Sequence, residues 1–186
     1  MKKYQNTAVY LIIGVLVITA IIMILYLNNS KKHQKPVWIK SGSYDVGKDL
    51  LEGEYVLISK GENSKYEIFE DGIAVSKDII YGQSYITIKK GQTLKFVDSE
   101  MCKVDEAPKL NSDDGTYKQG MYRVGRDITP GEYVLHSKSS GYYVILSDVT
   151  GDIGSIIENE NFVGKKSISL KSGQYIKIID ATMKSK

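Results

Sequence analysis

Gly42-Ser-Tyr-Asp-Val-Gly-Lys-Asp-Leu-Leu-Glu-Gly-Glu-Tyr-Val-Leu-Ile-Ser-Lys60 decides the reading of the fold, because it occurs twice. It returns as Gly120-Met-Tyr-Arg-Val-Gly-Arg-Asp-Ile-Thr-Pro-Gly-Glu-Tyr-Val-Leu-His-Ser-Lys138, at an offset of 78, with 12 of 19 positions identical. A second block, Gly82 to Asp98, matches Gly164 to Asp180 at an offset of 82. It shares Ile86/Ile168, Gly91/Gly173, Gln92/Gln174 and Lys95/Lys177. The change of offset places four extra residues in the middle of the second copy, where a loop takes an insertion. Two collinear blocks identify a duplication.

Each copy reads as β structure. Glu54–Ile58 and Glu132–Leu135, Tyr66–Phe69 and Tyr142–Leu146, and Leu94–Val97 and Tyr175–Ile179 are short apolar runs broken by Gly, Asp and Asn. Tyr85–Lys89 and Ser167–Lys171 alternate apolar and polar residues, as a strand with one buried face does. Lys90-Gly91-Gln92 and Ser172-Gly173-Gln174 are short enough for hairpin turns between the last two strands. The chain is rich in Tyr (14) and poor in Phe (3) and Trp (1), which suits half-buried strands.

The shared motif has its own physical reading. Gly47 and Gly125 suit a positive φ or a close backbone approach. Asp49 and Asp127 suit acceptors of backbone N–H groups in the same bend. Thr129-Pro130-Gly131-Glu132 fits a turn with Pro second and Gly third; Leu51-Glu52-Gly53-Glu54 repeats it without Pro. Tyr44 and Tyr122, and Tyr55 and Tyr133, supply half-buried rings, beside the shared Val46 and Val124. The motif residues are read as structural; a ligand site shared between Asp49 and Asp127 is the alternative.

Upstream of the repeats, Ala8 to Leu27 is an uncharged stretch of twenty residues. At about 1.5 Å per residue a helix of that length spans the roughly 30 Å hydrocarbon core. A transmembrane anchor over residues 8–27 is expected, with Tyr10 and Tyr26 near its ends. A cleaved signal peptide has a shorter apolar core, about 7–15 residues, and a small-x-small site that Tyr26-Leu27-Asn28-Asn29-Ser30 lacks. Flanking lysines do not decide the orientation; the short N-terminal tail favours the C-terminal part outside. The expected organisation is tail and anchor 1–27, stalk 28–41, first β module 42–103, linker 104–115 and second β module 116–186. Each module is small for an independent core. Either the copies dock on each other, or both contribute to one two-layer sandwich.

The formal net charge of +3 averages two unlike parts. Residues 1–40 carry six lysines and no acid, so residues 41–186 hold 19 basic and 22 acidic residues, a net of −3. With no basic stripe in the sequence, nucleic acid is not an expected partner. One cysteine, Cys102, excludes an internal disulfide framework and a multi-cysteine zinc site. His33 and His136 are the only histidines, and His136 stands where the first copy has Ile58. Cys102 has no nearby histidine, no Gly-x-Ser-x-Gly elbow occurs, and Gly120–Gly125 lacks the Lys-Ser/Thr ending of a phosphate loop. Asp113-Asp114-Gly115 and Asp148–Asp152 do not fit an EF-hand and read as turns. No catalytic, cofactor-binding or metal-binding residue is expected, and the chain is read as a non-enzyme.

The motif resembles a β-rich module of Gram-positive bacterial surface proteins and lipoproteins, marked by an opening "YxVGxDIxxGEY" and a closing "GQYxxx" strand. The resemblance covers both copies; the first departs from it at Leu51-Glu52 and at Gln92-Thr93-Leu94. It implies an extracytoplasmic, β-sandwich-like module and assigns no catalytic residue. The expectation is therefore a single-pass membrane protein with tandem extracytoplasmic modules that bind a cell-wall polymer or an envelope protein. The alternative is a structural or accessory subunit of an envelope complex. Tyrosines exposed on one face of each module would favour binding.

Overall fold

The computed structural model describes residues 13, 15–24, 35–109 and 114–186. Residues 15–24 are helical, with exposed apolar side chains such as Leu16, Ile22 and Met23. The rest of the expected anchor lies outside the described residues. No helix among the described residues is long and apolar enough to cross a membrane.

Residues 36–186 form a compact unit of their own, whose described elements are β-strands and one short 3-10 turn. The first copy supplies β1 (Ile39–Asp45), β2 (Gly53–Ser59), β3 (Lys65–Glu70), β4 (Ile73–Ile79), β5 (Gln83–Ile88) and β6 (Thr93–Lys103). The second supplies β7 (Thr116–Tyr117), β8 (Gly120–Arg123), β9 (Gly131–Leu146), β10 (Ile156–Leu170), β11 (Tyr175–Ile179) and β12 (Thr182–Ser185). Each copy is one six-stranded antiparallel sheet folded over on itself. In the first, one layer is β5, β2, the end of β6 and the start of β1; the other is β4, β3, the start of β6 and the end of β1. The inward faces share one core, with Leu57, Ile86, Ile88 and Met101 from one layer and Tyr66, Ile68, Leu94 and Phe96 from the other. Leu135, Ile168, Leu170 and Met183 meet Tyr143, Ile145, Ile176 and Ile178 in the second.

The corner between layers is built alike in both copies. Asp98 and Asp180 take positive φ values of 49° and 51°, which bends the long strand line there. The Ser64 hydroxyl donates to the Asp98 carbonyl, and the Ser137 hydroxyl donates to that of Asp180 at 2.8 Å. A straight β9 would run for about 50 Å, too long for one layer. It bends instead near Gly141, where a Cβ would meet Ser137 and Phe162 at 2.7 and 2.9 Å. A register shift against β10 between Phe162 and Gly164 accompanies the bend.

Several elements differ from the reading of the sequence. The runs Glu132–Leu135 and Tyr142–Leu146 are two halves of the single strand β9, because polar residues between them still pair with β10. Lys90-Gly91-Gln92 and Ser172-Gly173-Gln174 are not hairpins: β2 lies between β5 and β6, and β9 between β10 and β11, so each turn crosses between layers. Thr129–Glu132 does not make the expected turn with Pro130 second and Gly131 third, because Gly131 already opens β9. Gly131 has φ 151°, far from the roughly +80° of a type II turn with glycine third, and the Tyr133 hydroxyl donates to the Thr129 carbonyl at 2.7 Å. The first module begins inside the stretch read as stalk, because Ile39 and Lys40 pair with Met101 and Glu100. The longer connection of the second copy, residues 147–155, replaces the tight Asp71-Gly72 turn between β3 and β4.

Gly131 has no atom within 4 Å of an added Cβ, so its constraint lies in the backbone. Gly131→Val is expected to destabilise the chain by about 1–3 kcal/mol through strain alone. Thermal unfolding measures this; an unchanged melting temperature contradicts it.

Candidate functional site

The repeated motif closes one end of each module. The Asp49 carboxylate accepts from the Asp45 N–H at 3.0 Å, and Asp127 accepts from the Arg123 N–H at 2.9 Å. Gly47 and Gly125 hold φ values of 99° and 91°. Val46 and Val124, both buried, donate to the Gln92 and Gln174 carbonyls at 2.9 and 2.8 Å, which ties the motif to the crossing turn. The hydroxyls of Tyr44, Tyr55, Tyr122 and Tyr133 each donate to a backbone carbonyl four residues earlier. Gly53, like Gly131, opens its strand at a positive φ, 138°.

Asp49 and Asp127 are not brought together. Asp49 is exposed, whereas the Asp127 side chain is wholly buried where the two modules meet. Tyr85 of β5 donates to Asp127 Oδ2 at 2.5 Å, and Arg126 Nη1 donates to Asp127 Oδ1 at 2.6 Å and to the Tyr85 hydroxyl at 3.0 Å. Arg126 Nη2 donates to the carbonyls of Val104 and Ala107 at 3.0 and 2.7 Å. The start of the stretch read as linker is therefore part of the junction; residues 110–113 of it lie outside the described residues. On the far side of the apolar centre, Glu54 accepts from Tyr175 at 2.6 Å and from Arg123 at 3.1 Å. Lys177 pairs with Asp78 at 2.5 Å.

Between these polar rims lies a third apolar cluster. Val56, Tyr85, Cys102 and Val104 of the first copy pack on Met121, Val149 and Tyr175 of the second. Val149 belongs to the longer connection of the second copy, and its carbonyl accepts from the Thr87 N–H at 2.9 Å. Close approach needs Gly120 (φ 147°), where a Cβ would stand 2.9 Å from the Tyr81 carbonyl oxygen. The junction thus presses the outer face of one layer of the first module against the outer face of the other layer of the second.

Corresponding positions show why the joint is specific. Val56 pairs with Tyr85 and Cys102; in the second copy Val134 pairs with Ser167 and Lys184. Ile58, Gln83 and Val104 correspond to His136, Lys165 and Lys186. On the opposing side, Met121, Arg123 and Tyr175 correspond to Ser43, Asp45 and Thr93. The surfaces that meet are largely apolar; of their counterparts named above, all but Val134 are polar. A heterologous interface with apolar ends would propagate into a filament.

The electrostatics are those of a lock. Burial, then the Asp127 carboxylate, holds the Tyr85 hydroxyl far above its ordinary range; burial, then Glu54, does the same to Tyr175. Burial pushes Tyr66 and Tyr122 up to about 12, with Asp78 and Asp127 adding to it. Unfolded tyrosines ionise near about pH 10, so above that the unfolded state releases protons first. The contribution of these groups is complete below about pH 10 and is lost as pH rises through the folded values. The melting temperature is expected to fall steadily between about pH 10 and 12; a flat profile across that window contradicts the assignment.

Cys102 is fully buried in the junction, and burial, with Glu106 adding to it, pushes its thiol up to about 11. The thiol is thus no surface label. His136 is exposed on β9 and His33 lies outside the described residues. Asp148 accepts from Thr150, and Asp152 caps the short 3-10 turn Ile153–Ser155, so both serve as turn residues. No group of His, Cys, Asp or Glu among the described residues is arranged to hold a metal ion. No described tyrosine is exposed, so the tyrosine-faced binding surface is absent there.

No family model matches the chain, and no curated protein matches it significantly. A cleft of about 430 Å³ beside the junction is lined by Asp105, Lys109, Arg123, Arg126 and Ser172. Its arginines already serve the carboxylates and carbonyls of the junction. Another of about 280 Å³ includes Asp78, Asp148, Asp152 and Lys177, engaged in the pairs and turns above. Sequence reasoning missed the residues that make the joint, Tyr85, Arg126 and Tyr175. The signal was their failure to repeat: each stands where the other copy has a different residue.

Proposed function

We propose that the chain is a membrane-tethered, extracytoplasmic protein of the bacterial cell envelope whose paired β modules present a binding surface. The observation that carries the reading is the uncharged stretch Ala8–Leu27, followed by lysines and then by the repeats. The helical conformation of residues 15–24 and their outward apolar side chains support it. The repeats resemble modules of Gram-positive surface proteins, which supports the extracytoplasmic side. The junction supports a binding rather than a catalytic role: its ionisable groups are engaged with one another, and the Cys102 thiol is buried among them. Docked modules hold their outer faces in a fixed relation, which suits an extended partner such as a wall polymer.

The test needs an introduced thiol, since Cys102 is buried. Ser140→Cys, at an exposed position of β9, is expected to react with a membrane-impermeant maleimide on intact cells and to stay with membranes through carbonate extraction. Labelling only after lysis, or release by carbonate, would overturn the reading.

A further inference from the structure

The second module ends in a face unlike the rest of this acidic region. On β9, β10 and β12, Lys165 stands beside His136, Lys184 beside Val134 and Lys186 beside Glu132, with Lys138 one step further along β9. All four lysines are exposed, and none forms an ion pair among the described residues. The acids nearby are Glu132 on the same face, Asp180 at the corner beside Ser137, and Asp114 at the rim, whose carboxyl is held below its usual range chiefly by bonds from Thr116, with Lys184 adding to the effect. The corresponding face of the first module is the apolar one that receives its partner. In the second copy the same surface carries lysine where the first has Gln83, Cys102 and Val104.

We propose that this face docks on an anionic phospholipid surface. The lysines sit on the exposed face of neighbouring antiparallel strands, within about 20 Å of strand, which matches closely spaced phosphates in a plane. Tyr117 and Tyr133 point to the opposite, core side, so the face offers no tyrosine for stacking on a base or a sugar; its ring is the exposed imidazole of His136. The net −3 of residues 41–186 disfavours indiscriminate approach to an anionic surface. The choice of a bilayer as partner rests on the tethered reading, since a tether keeps that surface at high effective concentration.

The full-length chain is reconstituted into phosphatidylcholine vesicles, and into vesicles that also contain phosphatidylglycerol. Lysine acylation by a water-soluble ester is then followed by mass spectrometry. Lys138, Lys165, Lys184 and Lys186 are expected to react several-fold more slowly in the anionic vesicles, with recovery at high salt. Lys48 and Lys77 of the first module should be unaffected. Equal rates in both vesicles would overturn the proposal. So would protection by soluble inorganic polyphosphate in neutral vesicles without protection by phosphatidylglycerol, which would assign the face to a free phosphate polymer. Lys165→Glu with Lys184→Glu, both at exposed positions, is expected to abolish the difference; persistence would count against this face. Failure of the chain to remain with neutral vesicles is a failure of the tether alone, and anionic vesicles added to the free chain then still report on the face.

Discussion

Replacing Asp127 by Ala is expected to cost about 3–5 kcal/mol of stability, whereas Asp49→Ala costs about 1 kcal/mol. Both carboxylates cap the same bend, and the loss of that cap is common to the two substitutions. Only Asp127 is wholly buried. Its removal leaves the Arg126 guanidinium, largely buried, without its counter-charge, and leaves the Tyr85 hydroxyl without its acceptor. Denaturant unfolding of the two variants measures the difference directly. Equal losses would mean that the junction contributes nothing beyond the bend.

The second large effect is expected from Cys102→Lys. It places in the first copy the residue that the second copy carries at Lys184. At 184 the ammonium is in water; at 102 it would be enclosed by Val56, Tyr85, Val104 and Met121. An unpaired buried charge is not tolerated at that cost, so the modules separate rather than bury it. The expected result is rapid proteolysis within residues 104–115 together with a lower melting temperature. Cys102→Ser serves as the control, with a loss below about 3 kcal/mol from one polar group. Resistance to protease equal to that of the unchanged chain would contradict the described packing.

Much of the β architecture was legible because its signals are local. Alternation in Ser167–Lys171 and the glycines of the motif depend on neighbours a few residues away, and both lie in strands or bends of the structure; Tyr85–Lys89, read the same way, is buried on both faces because Tyr85 enters the junction. The layer crossing at Lys90-Gly91-Gln92 was not legible, since a short Gly turn has the same composition whether it joins neighbouring strands or opposite layers. The continuity of β9 was hidden by Ser139, Ser140 and Gly141, which read as a break but form the bend between the paired stretches of one strand. The motif residues were found because they repeat. The junction was not, because it is made of differences: Tyr85 against Ser167, Met121 against Ser43, Tyr175 against Thr93. Each difference alone looks like drift; only the fold places them on facing surfaces.

Two diverged copies are joined into one unit around a buried centre. Cys102, at that centre and the chain's one thiol, reports on it directly. Its rate of reaction with a small aromatic disulfide is measured under native conditions, against the same chain in denaturant. A docked pair predicts a rate several orders of magnitude below the unfolded value, rising sharply in Asp127→Ala. Labelling of the native chain at the unfolded rate would contradict the account.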